Sequence, residues 1–394
     1  MEIKNKQKTR DSFLLVDSTI KLKKNSTLNK KYQKIITFDL ESHRLLEDDL
    51  VQHCISEKYL DSTDEQKIDS ACIKFSQWYL NKSYDEQCCY EGINFGSLLR
   101  IDFNVFLIQF LRNFLIFKNI IEKYPDVTFV CVSQIYEILS KLTDNLQILD
   151  EKDFDYNTTT VKLQYKITNS VSIDISKDSF QKLKNISEII TKILVKKDSK
   201  VAENNAIALI EFDPIKYETI FNASRNYGGK ILLYNRRRPF AYNRKSLRIL
   251  QQSHVFPYII SKKLLKKYES VGKEKVDAIR NNLVKFFEEQ EEKLDNFFIF
   301  SNKKFWKLLK PYLLELFDEK ILGIIVEIEN SKKFISEKKP SAIIVLTENG
   351  ITEQILLKLA KKYSIKTVLL QHGSMLDSNN AIEYNRSQGV FPIQ

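Results

Sequence analysis

A chain of 394 residues with 43% apolar side chains can fill a sizeable core, which excludes disorder along its whole length. Lys and Arg total 62 against 51 Asp and Glu, and the resulting +11 favours anionic partners (nucleic acid, anionic lipid headgroups, phosphate-bearing substrates) without choosing among them. Nine glycines and seven prolines beside 25 Phe and 18 Tyr point to long helices and few tight loops, and against a Gly-rich phosphate loop.

Residues 1–33 are Lys-rich and lack sustained periodicity, the pattern of a basic flexible tail that could touch an anionic surface. MEIKNKQKTRDSF is followed by no apolar h-region, so no secretory signal is read and a cytoplasmic location is expected. Ile35, Ile36 and Phe38 ending at Asp39 give the first expected sheet strand. Asp61-Ser62-Thr63 then supply capping side chains for a helix through Trp78 and Leu80. A second helix, from about Phe103 to Lys123, is apolar on most sides and is expected to be buried. Gln109, Arg112, Asn113 and Lys118 interrupt it, which argues against a membrane span. Thr128 to Val132 reads as the next buried strand, followed by a helix through Leu139 and Leu142.

Between 156 and 176, VKLQYKI and VSIDIS flank Thr168-Asn169-Ser170, the signature of a β-hairpin inserted into an α/β chain. A helix from Phe180 to Lys196 precedes AIALIEF (206–212), a helix from Tyr217, and ILLY (231–234), which together make one βαβ unit. Residues 257–338 are expected to be a helical elaboration with a stripe of Val276, Ile279, Leu283, Phe287 and Leu294, and FFIF (297–300) a short strand within it. AIIVL (342–346), a helix bearing Ile351, Ile355, Leu356 and Leu359, and TVLL (367–370) close the series, the last read as a buried strand. The fold class is therefore α/β, a Rossmann-like parallel sheet with a hairpin insertion and helical elaborations. Cys54, Cys72, Cys88, Cys89 and Cys131 are odd in number and show no paired CxxC spacing, so reduced thiols are expected.

Ligands of an open parallel sheet bind at the carboxyl ends of the strands, which selects the loops at Asp39–His43, Asn235–Pro239, Thr347–Gly350 and Gln371–Ser374. His372 beside Gly373 is the most informative residue, since imidazole can move a proton near neutrality and glycine lets backbone amides approach an anion. A structural histidine within the loop is the competing reading. Arg236, Arg237 and Arg238, after Asn235 and before Pro239, could clamp a phosphate with guanidinium forks, or form a solvated basic loop. Glu348 and Asn349 could accept a sugar hydroxyl or cap a helix, and Asp39, Glu41 and His43 could face an acceptor. His43, His53, His254 and His372 are not paired at ligand spacing, so no metal is expected. P-loop, GxGxxG, HExxH and GxSxG motifs are absent.

Strand-Gln371-His372-Gly373 resembles GT-B-type surface-glycan proteins, including the HG motif of CDP-glycerol glycerophosphotransferase-like enzymes. LIEFDP ending at Pro214, ILLYNRRRP (231–239), QHG and FPIQ (391–394) jointly resemble surface-carbohydrate biosynthesis proteins described as glycosyltransferase-like, and YEGINFGSLL (90–99) is similar to a stretch in them. The resemblance runs from about Lys34 to Gln394. It implies one Rossmann-like domain over 34–394, the first half of a GT-B architecture, with the donor-binding second domain lying outside the chain. It also implies transfer of a sugar from a nucleotide-sugar donor to a glycan or lipid-phosphate-linked acceptor, with His372 in proton transfer or phosphate contact and Gln371 and Gly373 beside it. The nucleotide-sugar is then a co-substrate, and no bound cofactor is needed. A nucleotide-sugar epimerase, a polyol-phosphate transferase and a non-catalytic binder of anionic surfaces are the rival readings. Basic residues spread along the chain argue against a nucleic-acid patch, and peripheral contact with the inner face of the cell membrane is compatible with the charge.

Overall fold

The computed structural model describes residues 12–22, 31–80, 88–150, 154–156, 163–166, 172–175, 177–195 and 206–370. The chain divides into two compact units, residues 1–72 with 105–161, and residues 73–104 with 162–394.

The first unit is built on a parallel sheet of β1 (Ser12–Val16), β2 (Lys34–Thr37), β3 (Cys54–Ile55), β4 (Thr128–Cys131) and β5 (Leu146–Ile148), in the spatial order β3-β2-β1-β4-β5. Strand β1 is central, with Phe13 paired to Lys34 on one side and to Phe129 on the other. Phe13, Leu14, Leu15 and Val16 are all buried in the core with Ile36, Phe117 and Phe129. The expected tail of residues 1–33 therefore contains the middle strand of a sheet, because four consecutive apolar side chains are a complete buried strand. The strand read as first is the second.

Helix α1 (Leu40–Asp48) starts at Asp39, whose carboxylate accepts from Ser42 N at 2.8 Å and from Ser18 N at 2.7 Å. Asp61 likewise accepts from Thr63 N at 2.8 Å and Asp64 N at 2.9 Å to start α2 (Ser62–Phe75), the cap that its sequence announces. Helix α3 (Phe95–Lys123) is longer than expected, and among the described residues it is the one helix long and apolar enough to cross a membrane. Half of its most apolar stretch is buried in the protein. Phe114, Leu115, Ile116 and Phe117, four in a row, are all buried, so the helix is covered on every side at that turn, while Val105 in its earlier half is 63% exposed. Helix α4 (Ser133–Leu139) links β4 to β5.

In the second unit, β6 (Leu163–Lys166) and β7 (Ser172–Ile175) pair antiparallel, Leu163 opposite Ile175, and their turn lies outside the described residues. Helix α5 (Lys177–Leu194) leads to a second parallel sheet of β8 (Ala206–Ile210), β9 (Lys230–Tyr234), β10 (Val255–Pro257), β11 (Ala342–Val345) and β12 (Lys366–Leu369), ordered β10-β9-β8-β11-β12. Helices α6 (Glu218–Ala223) and α7 (Arg244–Gln252) lie between β8 and β10, the latter opened by a capping box of Asn243 and Ser246. The helical elaboration comprises α8 (Lys262–Glu289), α9 (Glu291–Phe297) and α10 (Trp306–Lys338), with Ile299–Phe300 as a short strand. Ile279, Leu283, Phe287 and Leu294 of the expected stripe are buried, and Trp306 stacks on Phe298 with ring centres 5.4 Å apart. Residues 88–104 join this unit through α10: the Tyr90 hydroxyl donates to Glu329 at 2.9 Å, and Lys332 pairs with Glu91 at 2.9 Å. Helix α11 (Ile351–Lys362) connects β11 to β12.

Each sheet thus sets its own first strand in the middle, its second and third to one side and its fourth and fifth to the other. The reading of 34–394 as one Rossmann-like domain gives way to two parallel sheets in two units. Strand β12 is also exposed at all four residues, with Val368 47% and Leu369 40% accessible, because it stands at the sheet edge rather than inside it.

Candidate functional site

In the second sheet the strand order reverses at β8, which places the switch-point crevice between the carboxyl ends of β8 and β11. Glu211 follows β8 in a left-handed conformation (φ 58°), an arrangement that costs a non-glycine residue about 1–3 kcal/mol and persists only where its surroundings enforce it. Here they do. The buried Glu211 carboxylate accepts from the backbone N–H of Arg236 and, at 2.8 Å, from that of Arg237, which ties the end of β8 to the loop after β9.

The three guanidinium groups of that loop each meet a carboxylate. Arg236 Nε donates to Glu327 Oε2 at 2.9 Å, and the buried Tyr234 hydroxyl donates to the other Glu327 oxygen at 3.1 Å. Burial works against the Arg236 charge, but Glu327 and Tyr234 more than restore it, so the guanidinium is held above its ordinary value. Arg237 pairs with Glu353, and Arg238 lies 3.4 Å from Glu211 and 4.0 Å from Asp213. The arginines expected to clamp phosphate are thus first of all partners of four acidic residues outside the expected site: Glu211, Asp213, Glu327 and Glu353. Arg237 and Arg238 remain 52% and 41% exposed, and one carboxylate does not use all five N–H donors of a guanidinium.

Asn235 is buried and donates from Nδ2 to Phe212 O at 3.0 Å, holding the ends of β8 and β9 together. Glu348 and Asn349 stand after β11, half-buried, but neither caps α11; Gly350 is the capping residue, and Glu353, in the first turn, folds back against it. Burial pushes the Glu353 carboxyl up to about 7 despite Arg237 beside it, and burial also raises Glu348.

Among the described residues, twelve buried side-chain polar atoms have no hydrogen-bond partner in the protein, and six belong to this corner: Glu211 Oε2, Asn235 Oδ1, Arg238 Nε, Glu348 Oε2, Asn349 Oδ1 and Glu353 Oε2. Glu211 Oε2 and Arg238 Nε at least face each other as an ion pair. The other four are oxygen acceptors. Buried acceptors demand donors, from ordered water or from a ligand bearing O–H or N–H groups. A cavity of about 320 Å3 lined by Lys320, Glu327, Ile351 and Thr352 adjoins it, at the small end of the range for ligand pockets. No group of three or more His, Cys, Asp or Glu able to hold a metal ion occurs among the described residues.

The remaining candidates belong to the first unit or lie outside the described residues. Asp39 and His43 belong to the first unit. Asp39 is occupied as a helix cap. His43 Nδ1 lies 2.7 Å from His53 Nε2, His53 Nδ1 lies 2.7 Å from the Val51 carbonyl, and His43 Nε2 is 3.5 Å from Glu47. Gln371, His372 and Gly373, directly after Leu370, lie outside the described residues. A sequence signal did exist for the missed acids: Glu211 directly follows an apolar strand run, and Glu353 stands three residues after Gly350, the position from which a Glu reaches back to a helix start.

Fold and site together define an α/β protein with two five-stranded parallel sheets and an acid-rich, hydrogen-bond-accepting corner at the switch point of the second. No family model, curated protein or solved structure matches the chain.

Proposed function

We propose that the chain is a GT-B-type, glycosyltransferase-like protein of cell-surface glycan biosynthesis, which binds a nucleotide-sugar at the switch point of its second sheet. The observation that carries this reading is the set of buried acceptors, Asn235 Oδ1, Glu348 Oε2, Asn349 Oδ1 and Glu353 Oε2, at the carboxyl ends of β9 and β11. Ribose and hexose hydroxyls are the donors such a set selects, and the outer N–H groups of Arg237 and Arg238 suit a diphosphate beside them. Two sheets of the same strand order in one chain support a GT-B architecture, in which the hairpin β6–β7 is an insertion. His372, by resemblance, takes the acceptor proton or contacts phosphate. A glycan or lipid-phosphate-linked acceptor and a cytoplasmic site of action belong to the same reading.

Calorimetric titration of the full chain with UDP-, GDP- and CDP-sugars tests it. Binding of at least one donor is expected, weakened about tenfold or more by Glu353→Ala or Glu348→Ala, since each removes a hydroxyl acceptor worth roughly 1–3 kcal/mol. A folded chain that binds none of them defeats the reading. His372→Ala is expected to leave donor binding in place and abolish transfer, and unchanged turnover would remove His372 from the mechanism.

A further inference from the structure

Helix α5 is attached to the second unit by its polar side. Lys184, 5% exposed, donates to the Arg236 carbonyl and lies 3.4 Å from Glu188; Ser187 donates to the Ala241 carbonyl; and Thr191 is 1% exposed. At the end of the helix Val195 enters the core with Phe212, Phe221 and Leu233. The apolar side faces outward. Leu183, Ile186, Ile189, Ile190, Ile193 and Leu194 are 43–74% exposed. At about 100° per residue they cover about 140° of the helix surface. A soluble helix ordinarily turns such an arc inward, and here the inward side is already taken.

The charge around the arc says what it meets. Lys182 falls within it and Lys192 about 60° beyond its edge, both exposed, while Asp178 falls about 20° beyond that edge by helical spacing. Glu188, the acid between Leu183 and Leu194, is engaged by Lys184 on the opposite side. Branched aliphatic side chains with the exposed Lys182 ammonium among them fit an anionic bilayer, with the aliphatics at the acyl boundary and the lysine at headgroup phosphates. A second copy of the chain would instead bring like charges together on a protein of net charge +11.

We propose that the outer face of α5 is a peripheral docking surface for an anionic membrane. The site differs from the N-terminal segment to which the charge pattern first pointed, and it is independent of what the switch-point corner binds. Flotation of the full chain tests it, using phosphatidylcholine vesicles with and without about one-third phosphatidylglycerol. The chain is expected to float with the anionic vesicles and to stay in solution with phosphatidylcholine alone. Replacing Ile186, Ile190 and Ile193 together with Glu should reduce partition at least about tenfold, while the exposed positions leave the urea midpoint in place. Lys182→Glu with Lys192→Glu should weaken binding and flatten its salt dependence. The proposal is overturned if the parent stays in solution with anionic vesicles, or if the triple variant floats as the parent does. It is overturned equally if light scattering shows a dimer that the triple variant dissociates.

Discussion

Glu353 folds back over Gly350 so closely that a methyl group on Gly350 would stand 2.7 Å from Glu353 Cδ and 2.9 Å from Arg237 Cζ. The glycine backbone, at φ −75° and ψ 144°, is open to any residue, so what position 350 requires is space for an ion pair and not conformational freedom.

Gly350→Ala is therefore expected to destabilise the chain by about 1–3 kcal/mol through overpacking, with alanine also the poorer capping residue. In a Glu353→Ala background most of that loss should vanish. Urea unfolding of the two single variants and the double variant measures the coupling; full additivity would show that the carboxylate does not press on Gly350.

A carboxyl raised from 4.5 to about 7 gives a definite sign to the pH dependence of stability. The folded state holds this proton more tightly than the unfolded chain, so its contribution is greatest below 4.5 and is lost as pH rises towards 7, by about 3 kcal/mol in all. Glu353→Gln should gain on the parent between pH 5 and pH 8 by a difference of that order. Paired unfolding curves across the range decide it, and a constant gap between the two proteins would contradict the raised value.

The arginines should differ sharply in their importance to the fold. Arg236→Ala leaves the Glu327 carboxylate, 10% exposed, without its guanidinium partner, and a loss of about 3–5 kcal/mol is expected. Arg238 is 41% exposed and 3.4 Å from its carboxylate, so Arg238→Ala should change stability by about 0–1 kcal/mol. Thermal unfolding of the two variants, side by side, reads the contrast.

His43 and His53 should share one tautomer. The Val51 carbonyl can only accept, so His53 Nδ1 carries the proton; neutral His53 Nε2 then accepts, and His43 Nδ1 must donate to it. Long-range 15N–1H correlation spectra at neutral pH should show Nδ1–H for both rings, and His53→Phe should release His43 from that form.

Much of this architecture could be read from short stretches. The cap at Asp61, the helical stripe of Ile279, Leu283 and Phe287, the strands at 206–210, 230–234 and 342–345, and the strands β6 and β7 are each fixed by neighbours in sequence: apolar period and cap chemistry. Strand β1 was equally local in its signal, four apolar residues in a row, and was obscured by the basic residues on either side of it.

The Arg236–Arg238 turn and the Glu348–Asn349 corner were visible as polar residues at strand ends, but their roles were not. A guanidinium is a clamp or a structural partner according to what lies across from it, and Glu327 and Glu353 are 91 and 116 residues away in the chain. The same holds for α5, whose amphipathic pattern is plain in sequence while the side it turns outward depends on the loops at Arg236 and Ala241. Local patterning determined which segments became helices and strands, because propensity and capping act over a few residues. Only the tertiary structure decided that there are two sheets, which charges cancel and which apolar face stays in solvent, because pairing and burial are set by partners that the order of residues does not place side by side.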